Sequence, residues 1–244
     1  IGEIHECCPD VHIQAFTAVE IEHLSQIAKL PVRQTLKILK EAGLGSLPGG
    51  GAEVFSPEIR EQLCPEKLSG EGWLQVMREA HNLGLHSNAT MLYGHVETPE
   101  DRINHLIKLR ELQDETGGFM SFIPLAFHPK NTDLANRFGT TAMLDLKVIS
   151  ISRLMLDNFD HIKAFWIMLG IKLSQVSLSF GVDDIDGTVK EEKITHAAGA
   201  ETPEALSVQE IINLIKEAGR EPVERDTLYN PVKRHQRNIV LQKV

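Results

Sequence analysis

The alternation of apolar strands with helical segments constrains this fold more than any other feature of the sequence. Six short apolar runs predict strands, and they recur at roughly 30–45 residue intervals, which is typical of βαβ units and of a parallel sheet. The predicted strands are His12–Ala18, Gly45–Pro48, His86–Tyr93, Met120–Phe127, Ile162–Met168 and Val176–Val182. Most of them lack a clean apolar–polar alternation, as expected for strands that are covered on both faces.

The intervening segments carry recognisable helix ends. Three of them combine a hydroxyl N-cap, a proline at the first helical position and an acid in the first turn. They are Ser56-Pro57-Glu58, Thr98-Pro99-Glu100 and Thr202-Pro203-Glu204. Apolar spacing predicts two helices that end at Gly43 and at Gly117, a third over Leu144–Met155, and another near Ser207–Ala218.

Right-handed crossovers allow either a doubly wound sheet or a closed barrel. No phosphate loop or dinucleotide fingerprint follows the first strand, which favours the barrel. We therefore predict an α/β fold, a TIM-type (β/α) barrel with about six of its eight strand–helix units, although only Leu169–Gln175 separates the last two predicted strands. Residues 1–188 are expected to form the partial barrel, and residues 189–244 a helical and extended C-terminal appendix that packs on it.

Composition excludes several classes of function. The net charge of −9 argues against a nucleic-acid surface, and the one basic cluster, Lys233–Arg237, is interpreted as a solvated C-terminal segment. The longest apolar stretch, Ile162–Leu173, contains two lysines and predicts no membrane insertion. No secretion leader is visible, and three cysteines form no disulfide framework, which suits a reducing cytoplasm.

Polar and glycine residues gather just after the predicted strands, where barrels place their active sites. They are Thr17 and Glu20, Gly49–Glu53, His95 and Glu97, His128 and Asn131, and Asp183, Asp184 and Asp186. Five clusters on one rim predict a small-molecule active site.

Each motif also has a simpler interpretation. The triple glycine suits a close ligand approach or a tight turn, and Glu53 suits sugar hydroxyls or a helix cap. The histidines and aspartates are possible metal ligands, but no pair has the helical i, i+4 spacing of zinc motifs. The adjacent Cys7 and Cys8 match no zinc or cluster spacing, and no Gly-x-Ser-x-Gly nucleophile elbow occurs. We interpret Trp166–Met168 as barrel core.

Three longer segments carry a family resemblance. Met91–Thr98, Leu109–Phe119 and Phe122–Pro129 are similar to a subgroup of radical S-adenosylmethionine (SAM) enzymes, which shares the glycine motif Pro48–Glu53. The subgroup contains aminodeoxyfutalosine synthase, dehypoxanthine futalosine cyclase and the deazaflavin-cofactor synthase. The similarity extends over essentially the whole chain.

Within that subgroup, three further segments resemble aminodeoxyfutalosine synthase. They are Pro124–Pro129 with Asn131-Thr132, Asp183–Thr188 with Glu191–Lys193, and Glu224–Asn230. The resemblance implies that a [4Fe–4S] cluster, reduced by a cellular reductant, cleaves SAM to a 5′-deoxyadenosyl radical. This radical would add to 3-[(1-carboxyvinyl)oxy]benzoate and yield aminodeoxyfutalosine, a precursor of menaquinone.

The chain departs from the family at the cluster. The family binds it through Cys-x3-Cys-x2-Cys near the first strand, and this spacing is absent here. We expect the ligands in two strand–helix units that precede the given residues, so the chain by itself is expected to be inactive. We predict no metal ligand within it.

The resemblance implies roles for individual residues, none of them assigned as catalytic. Glu53 would accept from the SAM ribose hydroxyls, and the remaining SAM contacts would be Gly50, Gly51, Tyr93, Gly94, Ile123 and Leu125. Tyr93 and Gly94 would flank the adenine. The substrate carboxylates would meet Asn88, His95, His128 and Arg153, although a surface ion pair explains Arg153 equally well. Asp184 would position donors or reach a hydroxyl, with Asp186 and His196 as weaker candidates.

Three alternatives stay open at this point. Cyclase or deazaflavin-type radical chemistry would use the same scaffold with another radical acceptor. A non-catalytic barrel that binds SAM or a nucleoside would lack the cluster altogether. A metal-dependent barrel hydrolase would retain activity without iron or SAM.

Overall fold

The computed structural model describes residues 1–187, 197, 202–203 and 205–232, and it shows a curled half-barrel of parallel strands covered by helices. The strands, in sheet order, are β1 Ile13–Gln14, β2 Leu44–Leu47, β3 His86–Tyr93, β4 Phe119–Ala126, β5 His161–Ala164 and β6 Asp184–Ile185. Each strand pairs with its neighbour in sequence, and every pair is parallel. The predicted α/β barrel with six strands is therefore confirmed.

Ten helices lie among the described residues, the first before β1, the last after β6 and the others in the connections between strands. They are α1 Gly2–Cys7, α2 Ala18–Ala28, α3 Val32–Glu41, α4 Pro57–Leu63, α5 Gly70–Asn82, α6 Pro99–Thr116, α7 Ala142–Met155, α8 Trp166–Leu169, α9 Ile171–Ser177 and α10 Val208–Glu217. Thr98 forms the predicted cap of α6, as a capping box with Asp101, and Gly117 ends that helix with φ of 60°. Ser56 precedes α4 as predicted, but its hydroxyl bonds the Glu58 carboxylate and caps no backbone N–H.

The long strands β3 and β4 form the centre of the sheet. They stay paired from Ser87 and Phe119 to Tyr93 and Ala126, whereas the other neighbouring strands align over two residues each. The predicted bounds of β3 are confirmed, and those of β4 differ by one residue.

Alternation along these strands separates a helix side from a lumen side. On the helix side, the Ser87 hydroxyl bonds the His81 ring of α5, and Phe122 packs edge-on against Phe159. The opposite side chains face the lumen of the half-barrel. They are Asn88, Thr90 and Leu92 from β3 and Ser121, Ile123 and Leu125 from β4. The lumen therefore has a polar layer at its amino end and apolar layers above it.

In the second half of the barrel, the predicted sixth strand was wrong in both its residues and its position. Val176–Val182 is not a strand, because Ile171–Ser177 is the helix α9, which buries Ser174 and Ser177 at helical spacing. The sixth strand lies later, at Asp184–Ile185, so the second and third of the predicted strand-end aspartates belong to or directly follow the strand itself. The two strands are thus joined by α8 and α9, and the irregular short link disappears.

Two other strands are shorter than predicted, because in each case a helix begins within the predicted strand. β5 ends at Ala164 because α8 begins at Trp166. β1 ends at Gln14 because Thr17 caps α2, with its side chain accepting from the Glu20 N–H. Trp166 and Ile167 are fully buried, which confirms their prediction as core.

The C-terminal residues meet the barrel through α10. Its apolar residues Ile211, Leu214 and Ile215 pack against the core, and the Leu214 carbonyl accepts from the Gln175 amide at 3.0 Å. Four predictions stay open because their residues lie outside the described part of the chain. They concern the domain boundary at 188, His196, Glu204 in the first turn of a predicted helix, and the basic cluster Lys233–Arg237. Among the described helices, none has the length and apolar character needed to cross a bilayer.

Candidate active site at the carboxyl rim

The glycine segment after β2 lies directly against β3. A Cβ on Gly49 would stand 2.9 Å from the Asn88 carbonyl oxygen, and the Thr90 hydroxyl donates to the Gly49 carbonyl at 2.6 Å. Gly51 has φ of 81°, a backbone conformation that residues with a Cβ atom rarely adopt. The glycines therefore let the loop pack onto the sheet at the rim. Close ligand approach and a tight turn are both compatible with this arrangement.

A buried arginine holds this loop, and no pattern in the sequence indicated its role. Arg60 on α4 is 5% exposed. Its guanidinium donates to the carbonyls of Ala52 at 2.6 Å and Gly51 at 3.3 Å, with further bonds to those of Val54 and Leu68. In the sequence Arg60 looks like any helix-surface cation, so only its burial reveals that it organises the rim.

Glu53 adopts a left-handed backbone conformation at the end of the loop. Its φ is 46°, and its carbonyl accepts from the Leu92 N–H at 3.0 Å, which joins the loop to β3. The carboxylate pairs with Lys67 at 3.0 Å and is largely buried. Glu53 thus does not cap α4, and its carboxylate stays near the carboxyl ends of β2 and β3.

The turn after β3 is organised by a buried carboxylate. Glu97 accepts from the N–H groups of Gly94 at 2.7 Å and His95 at 2.9 Å, and it pairs with Arg102 at 2.5 Å. Its side chain is 1% exposed. Buried charges persist only when they are paired and hydrogen-bonded, and all of these partners serve to fix the turn.

His95 is part of the same turn rather than a free donor. Its Nδ1 accepts from the Val96 N–H at 2.7 Å, which leaves Nε2–H to donate to the Leu92 carbonyl at 2.9 Å. Burial lowers the pKa of His95 below the usual histidine value, against the opposing effect of Glu97. The ring is therefore neutral and fully bonded. The predicted contact between His95 and a substrate carboxylate does not fit this placement.

Tyr93 points to the helix side of the sheet. Its ring is fully buried and its hydroxyl donates to Asp145 of α7 at 2.9 Å. Burial and the nearby carboxylate of Asp145 raise the pKa of Tyr93 well above its usual range. The predicted contact of its ring with adenine does not fit this orientation, whereas Gly94, the next residue, lies at the rim.

Two residues from the loop after β4 lie at the rim, and one of them, Thr140, covers Gly94. A Cβ on Gly94 would lie 2.2 Å from the Thr140 methyl, so only glycine fits beneath that threonine. His128 bonds the Met168 carbonyl through Nε2 at 2.9 Å, which ties the loop to α8. His128 is therefore at the rim, as predicted, with one ring nitrogen already engaged.

The lumen beneath these loops is apolar at this end. Leu92, Ile123 and Leu125 lie on the lumen side and remain partly exposed, as does Phe127, which contacts the His95 ring edge-on at 5.9 Å between centroids. The predicted apolar support from Ile123 and Leu125 is geometrically compatible with this surface. The rim thus combines fixed backbone turns with exposed apolar side chains.

The other predicted substrate residues lie at the amino end. Asn88, Arg153 and Asp184 line a cavity of about 1160 Å³ between the lumen and the C-terminal residues. The Arg153 guanidinium donates to the Gly181 and Phe159 carbonyls and pairs with Asp183 at 2.6 Å. The structure therefore shows for Arg153 the ion pair that the sequence left as its alternative.

A hairpin near the C-terminus fills the floor of the lumen. Arg225 binds both oxygens of Asp184, at 3.0 and 2.6 Å, and its guanidinium stacks over the Tyr229 ring. Tyr229 donates to Asp184 at 2.8 Å and stacks on the His161 ring. Lys163, which the sequence analysis missed as a lumen residue, lies 3.3 Å from Asp186 and 3.8 Å from Asp184. Burial raises the pKa of Tyr229, so its hydroxyl stays protonated.

The described residues offer no seat for an iron–sulfur cluster. Cys7 and Cys8 are exposed at the end of α1, whereas Cys64 is buried elsewhere. No group of three or more His, Cys, Asp or Glu side chains in the described part of the chain could hold a metal ion. A cluster therefore does not fit the part of the fold that the structure describes.

Comparison with known proteins gives a consistent family. The model of the CofH/MqnC C-terminal region matches residues 116–238. Aminodeoxyfutalosine synthase of Thermus thermophilus is 53% identical over 237 residues, covering 96% of this chain and 64% of the relative. That of Streptomyces coelicolor is 41% identical over 247 residues, covering 97% and 64%.

A differently named relative is also similar. The 5-amino-6-(D-ribitylamino)uracil–L-tyrosine 4-hydroxyphenyl transferase of Methanopyrus kandleri is 41% identical and covers 96% of this chain and 64% of the relative. Among solved structures, methylornithine synthase matches with a TM-score of 0.61 at 19% identity, covering 85% of this chain and 63% of that one. The latter likeness supports the fold alone. The chain spans about 64% of the length of these curated relatives.

Proposed function

We propose, from the premise that this chain belongs to the CofH/MqnC family, that it forms the SAM- and substrate-binding part of a radical SAM enzyme of the aminodeoxyfutalosine synthase type. The observation that carries this proposal is the 53% identity to the Thermus synthase over 96% of the chain. The reaction would join the 5′-deoxyadenosyl group to 3-[(1-carboxyvinyl)oxy]benzoate. SAM, together with a reduced [4Fe–4S] cluster held by residues outside this chain, would supply that radical.

The SAM nucleoside would lie across the rim between the glycine loop and the Gly94 turn. Glu53 would accept from the ribose hydroxyls, since its largely buried carboxylate stands at the end of the glycine loop. Gly50 and Gly51 would admit the ligand to the backbone, and Gly94 would border the adenine. Ile123 and Leu125 would pack against the ligand and exclude water, which protects a radical from side reactions.

The substrate would occupy the lumen beneath SAM, where two of the predicted residues keep a group that can bind it. Asn88 lies in the polar layer, with its Oδ1 accepting from Ser121, so its amide N–H₂ can serve as a donor. His128 has one ring nitrogen engaged, and the other has no hydrogen-bond partner among the described residues, so it can bind a ligand. Asp184 would act indirectly, by holding Arg225 and Lys163 in place. Arg153 and His95 would stabilise the surrounding protein structure and would not contact the substrate.

A second candidate function rests on the relatives named as transferases of 5-amino-6-(D-ribitylamino)uracil and L-tyrosine. Their identities of 40–44% overlap with the 41% of the Streptomyces synthase. At these identities we expect the relatives to share the fold, and the two candidates then differ in the substrate that the lumen accepts. The two candidates therefore predict different substrates for one site.

The product of the complete gene, reconstituted anaerobically with iron, sulfide and a reductant, tests both candidates. It is incubated with SAM and either 3-[(1-carboxyvinyl)oxy]benzoate or the ribitylaminouracil with tyrosine, and the products are identified by mass spectrometry. We expect an adenosyl adduct of the benzoate that has lost one carboxylate. If the reaction with the benzoate yields free 5′-deoxyadenosine and no adduct, the synthase is rejected. A new product derived from the uracil establishes the second candidate instead.

The non-catalytic alternative has its own signature. A gene without Cys-x3-Cys-x2-Cys in any part of its product, whose protein nevertheless binds SAM, would identify a binding barrel. A metal-dependent hydrolase would be indicated by activity that persists after iron and SAM are removed.

A further inference from the structure

Arg60 is a buried cation whose partners are carbonyl groups. Its two terminal nitrogens bond four backbone oxygens, those of Gly51, Ala52, Val54 and Leu68. No carboxylate pairs with it within the described residues, and its Nε has no partner there. Placing an arginine in this way has a desolvation cost, which the carbonyl dipoles offset. Three of these four carbonyls belong to the rim loop that carries the glycines and Glu53.

The orientation of these carbonyls dictates that of the neighbouring N–H groups. None of the described peptide bonds is cis, and in a trans peptide C=O and N–H point in opposite directions. The Gly51 and Ala52 carbonyls point at Arg60, so the N–H groups of Ala52 and Glu53 point away from it and from α4. Gly51, with φ of 81°, and Glu53, with φ of 46°, give the chain the sharp path that this arrangement needs.

These two N–H groups find no acceptor among the described residues. No hydrogen bond from the Ala52 or Glu53 N–H is present, although Ala52 is fully buried. Buried backbone donors without partners are rare in folded proteins, since each forfeits its bond to water. The Ala52 N–H is enclosed by the protein, whereas Glu53 is partly exposed, so the Glu53 N–H is the donor that a ligand at the glycine segment can reach.

We infer that Arg60 is the positioning residue of the rim loop, which it holds so that the N–H group of Glu53 is presented to an acceptor atom of the SAM nucleoside. This inference rests on the proposed function for the identity of the ligand. Glu53 then contributes twice, through a carboxylate that accepts from the ligand and an N–H that donates to it. Trp73 supports the same loop by donating from its indole to the Gly50 carbonyl at 3.1 Å.

The test measures binding of S-adenosylhomocysteine, a stable analogue, to the complete gene product by titration calorimetry. Arg60→Met removes all of the carbonyl contacts, and we expect affinity to fall by about tenfold, the equivalent of one lost hydrogen bond to a charged or buried group. Arg60→Lys keeps the charge but lacks the fork, and we expect an intermediate loss. Arg78→Met, on the neighbouring α5, removes an exposed pair with Glu115 and serves as the matched control.

Hydrogen exchange provides a readout that loss of stability alone would not change. In the wild-type protein, we expect ligand to slow exchange in a peptide covering residues 49–55, and in Arg60→Met this slowing is lost while other peptides keep theirs. Equal affinity of wild type and Arg60→Met overturns the inference and leaves the proposed function standing. If Arg60→Met does not fold, wild-type affinity in Arg60→Lys overturns it equally. A wild-type protein that binds no analogue and makes no adduct instead refutes the proposed function.

Discussion

The carboxyl rim and the amino end of the half-barrel both carry dense polar networks, but the networks differ in what they bind. At the rim, Arg60, Glu97 and His95 bond mainly backbone groups and thereby fix turns. At the amino end, Asp184 and Arg225 pair with each other and with Tyr229. In the first region charge shapes the main chain around an open surface, whereas in the second it fastens the C-terminal hairpin to the sheet.

The difference shows why polarity alone is a poor guide to function in this fold. A barrel tends to place its chemistry at the carboxyl ends of the strands and its stabilising contacts at the other end. Asp184 and Arg153 are as polar as any rim residue, yet their hydrogen-bonding capacity is spent on protein partners. The surface left for a ligand is therefore where the polar side chains have turned away, toward the backbone.

The largest effect should come from removing the buried carboxylate of the rim. Glu97→Ala leaves the Gly94 and His95 N–H groups and the Arg102 guanidinium without their acceptor. We expect the free energy of unfolding to fall by about 3 kcal/mol, measured by urea denaturation. Glu100→Ala, at an exposed site on α6, is the control and should change little. If Glu97→Ala lowers the free energy of unfolding by less than Arg225→Ala does, the comparison between the two ends is reversed.

Removing Arg225 should break the amino-end network. Arg225→Ala leaves Asp184 with Tyr229 and Lys163 as partners, so the loss is smaller, about 2 kcal/mol in the free energy of unfolding. Arg220→Ala is the matched control, because Arg220 bonds one carbonyl, that of Leu178, at 3.3 Å. Affinity for S-adenosylhomocysteine should be unaffected by Arg225→Ala. A change in affinity would show that the two regions are coupled.

Protonation of buried histidines should weaken the fold on acidification. Burial lowers the pKa of His81 to about 4 and of His105 to about 3, from an ordinary value of 6.5. The unfolded chain therefore binds these protons first, so stability is complete above pH 6.5 and declines as the pH falls toward 4. At pH 5 the expected loss is about 2 kcal/mol for each histidine.

Urea denaturation at pH 7.5 and 5 checks this dependence, and His81→Gln should reduce it. His81 belongs to the amino end, through Ser87 and Thr116, whereas His105 supports the centre of β3 through the Thr90 carbonyl. His23→Gln, at an exposed position, should leave the pH dependence intact. If the free energy of unfolding falls equally between pH 7.5 and 5 in wild type and His81→Gln, His81 does not contribute to the pH dependence.

The smallest effect on stability should come from the exposed partner of Glu53. Lys67→Met removes a half-exposed ion pair, for which we expect about 0.5 kcal/mol in thermal denaturation. Because Lys67 holds the Glu53 carboxylate, affinity for S-adenosylhomocysteine should change more than stability does. Lys37→Met, which removes the exposed pair with Glu41, is the control for both measurements. Unchanged affinity would assign Lys67 to the surface alone.

The sequence predicted the parts of the fold in which local signals agree. β3 has the length, the apolar content and the flanking helix caps of a buried strand, and both of its bounds were correct. In Val176–Val182 the same apolar content belongs to a helix and its end, because a short apolar run has no periodicity that separates the two. β6 is only two residues long and polar at its first position, so no strand pattern marks it.

The site was predictable as a rim but not as a set of partners. Glycine loops and strand ends are local features, which is why Gly49–Glu53 and Gly94 lie where the sequence put them. The orientation of Tyr93 and the engagement of His95 depend on Asp145 and on the fold of a turn, neither of which leaves a pattern in sequence. Arg60 was missed for the same reason, since burial of a charge is decided by tertiary packing.

The order of the strands has a consequence for how the molecule assembles. Because each strand pairs with its neighbour in sequence, no strand must wait for a distant segment, which keeps the entropy of loop closure low. Because β3 and β4 share the longest register, we expect this pair to form the folding nucleus, from which pairing spreads to both sides. The same two strands carry the Gly94 turn and the apolar lumen. We therefore expect the ligand surface to lie on the part of the sheet that forms first and exchanges its amide hydrogens last.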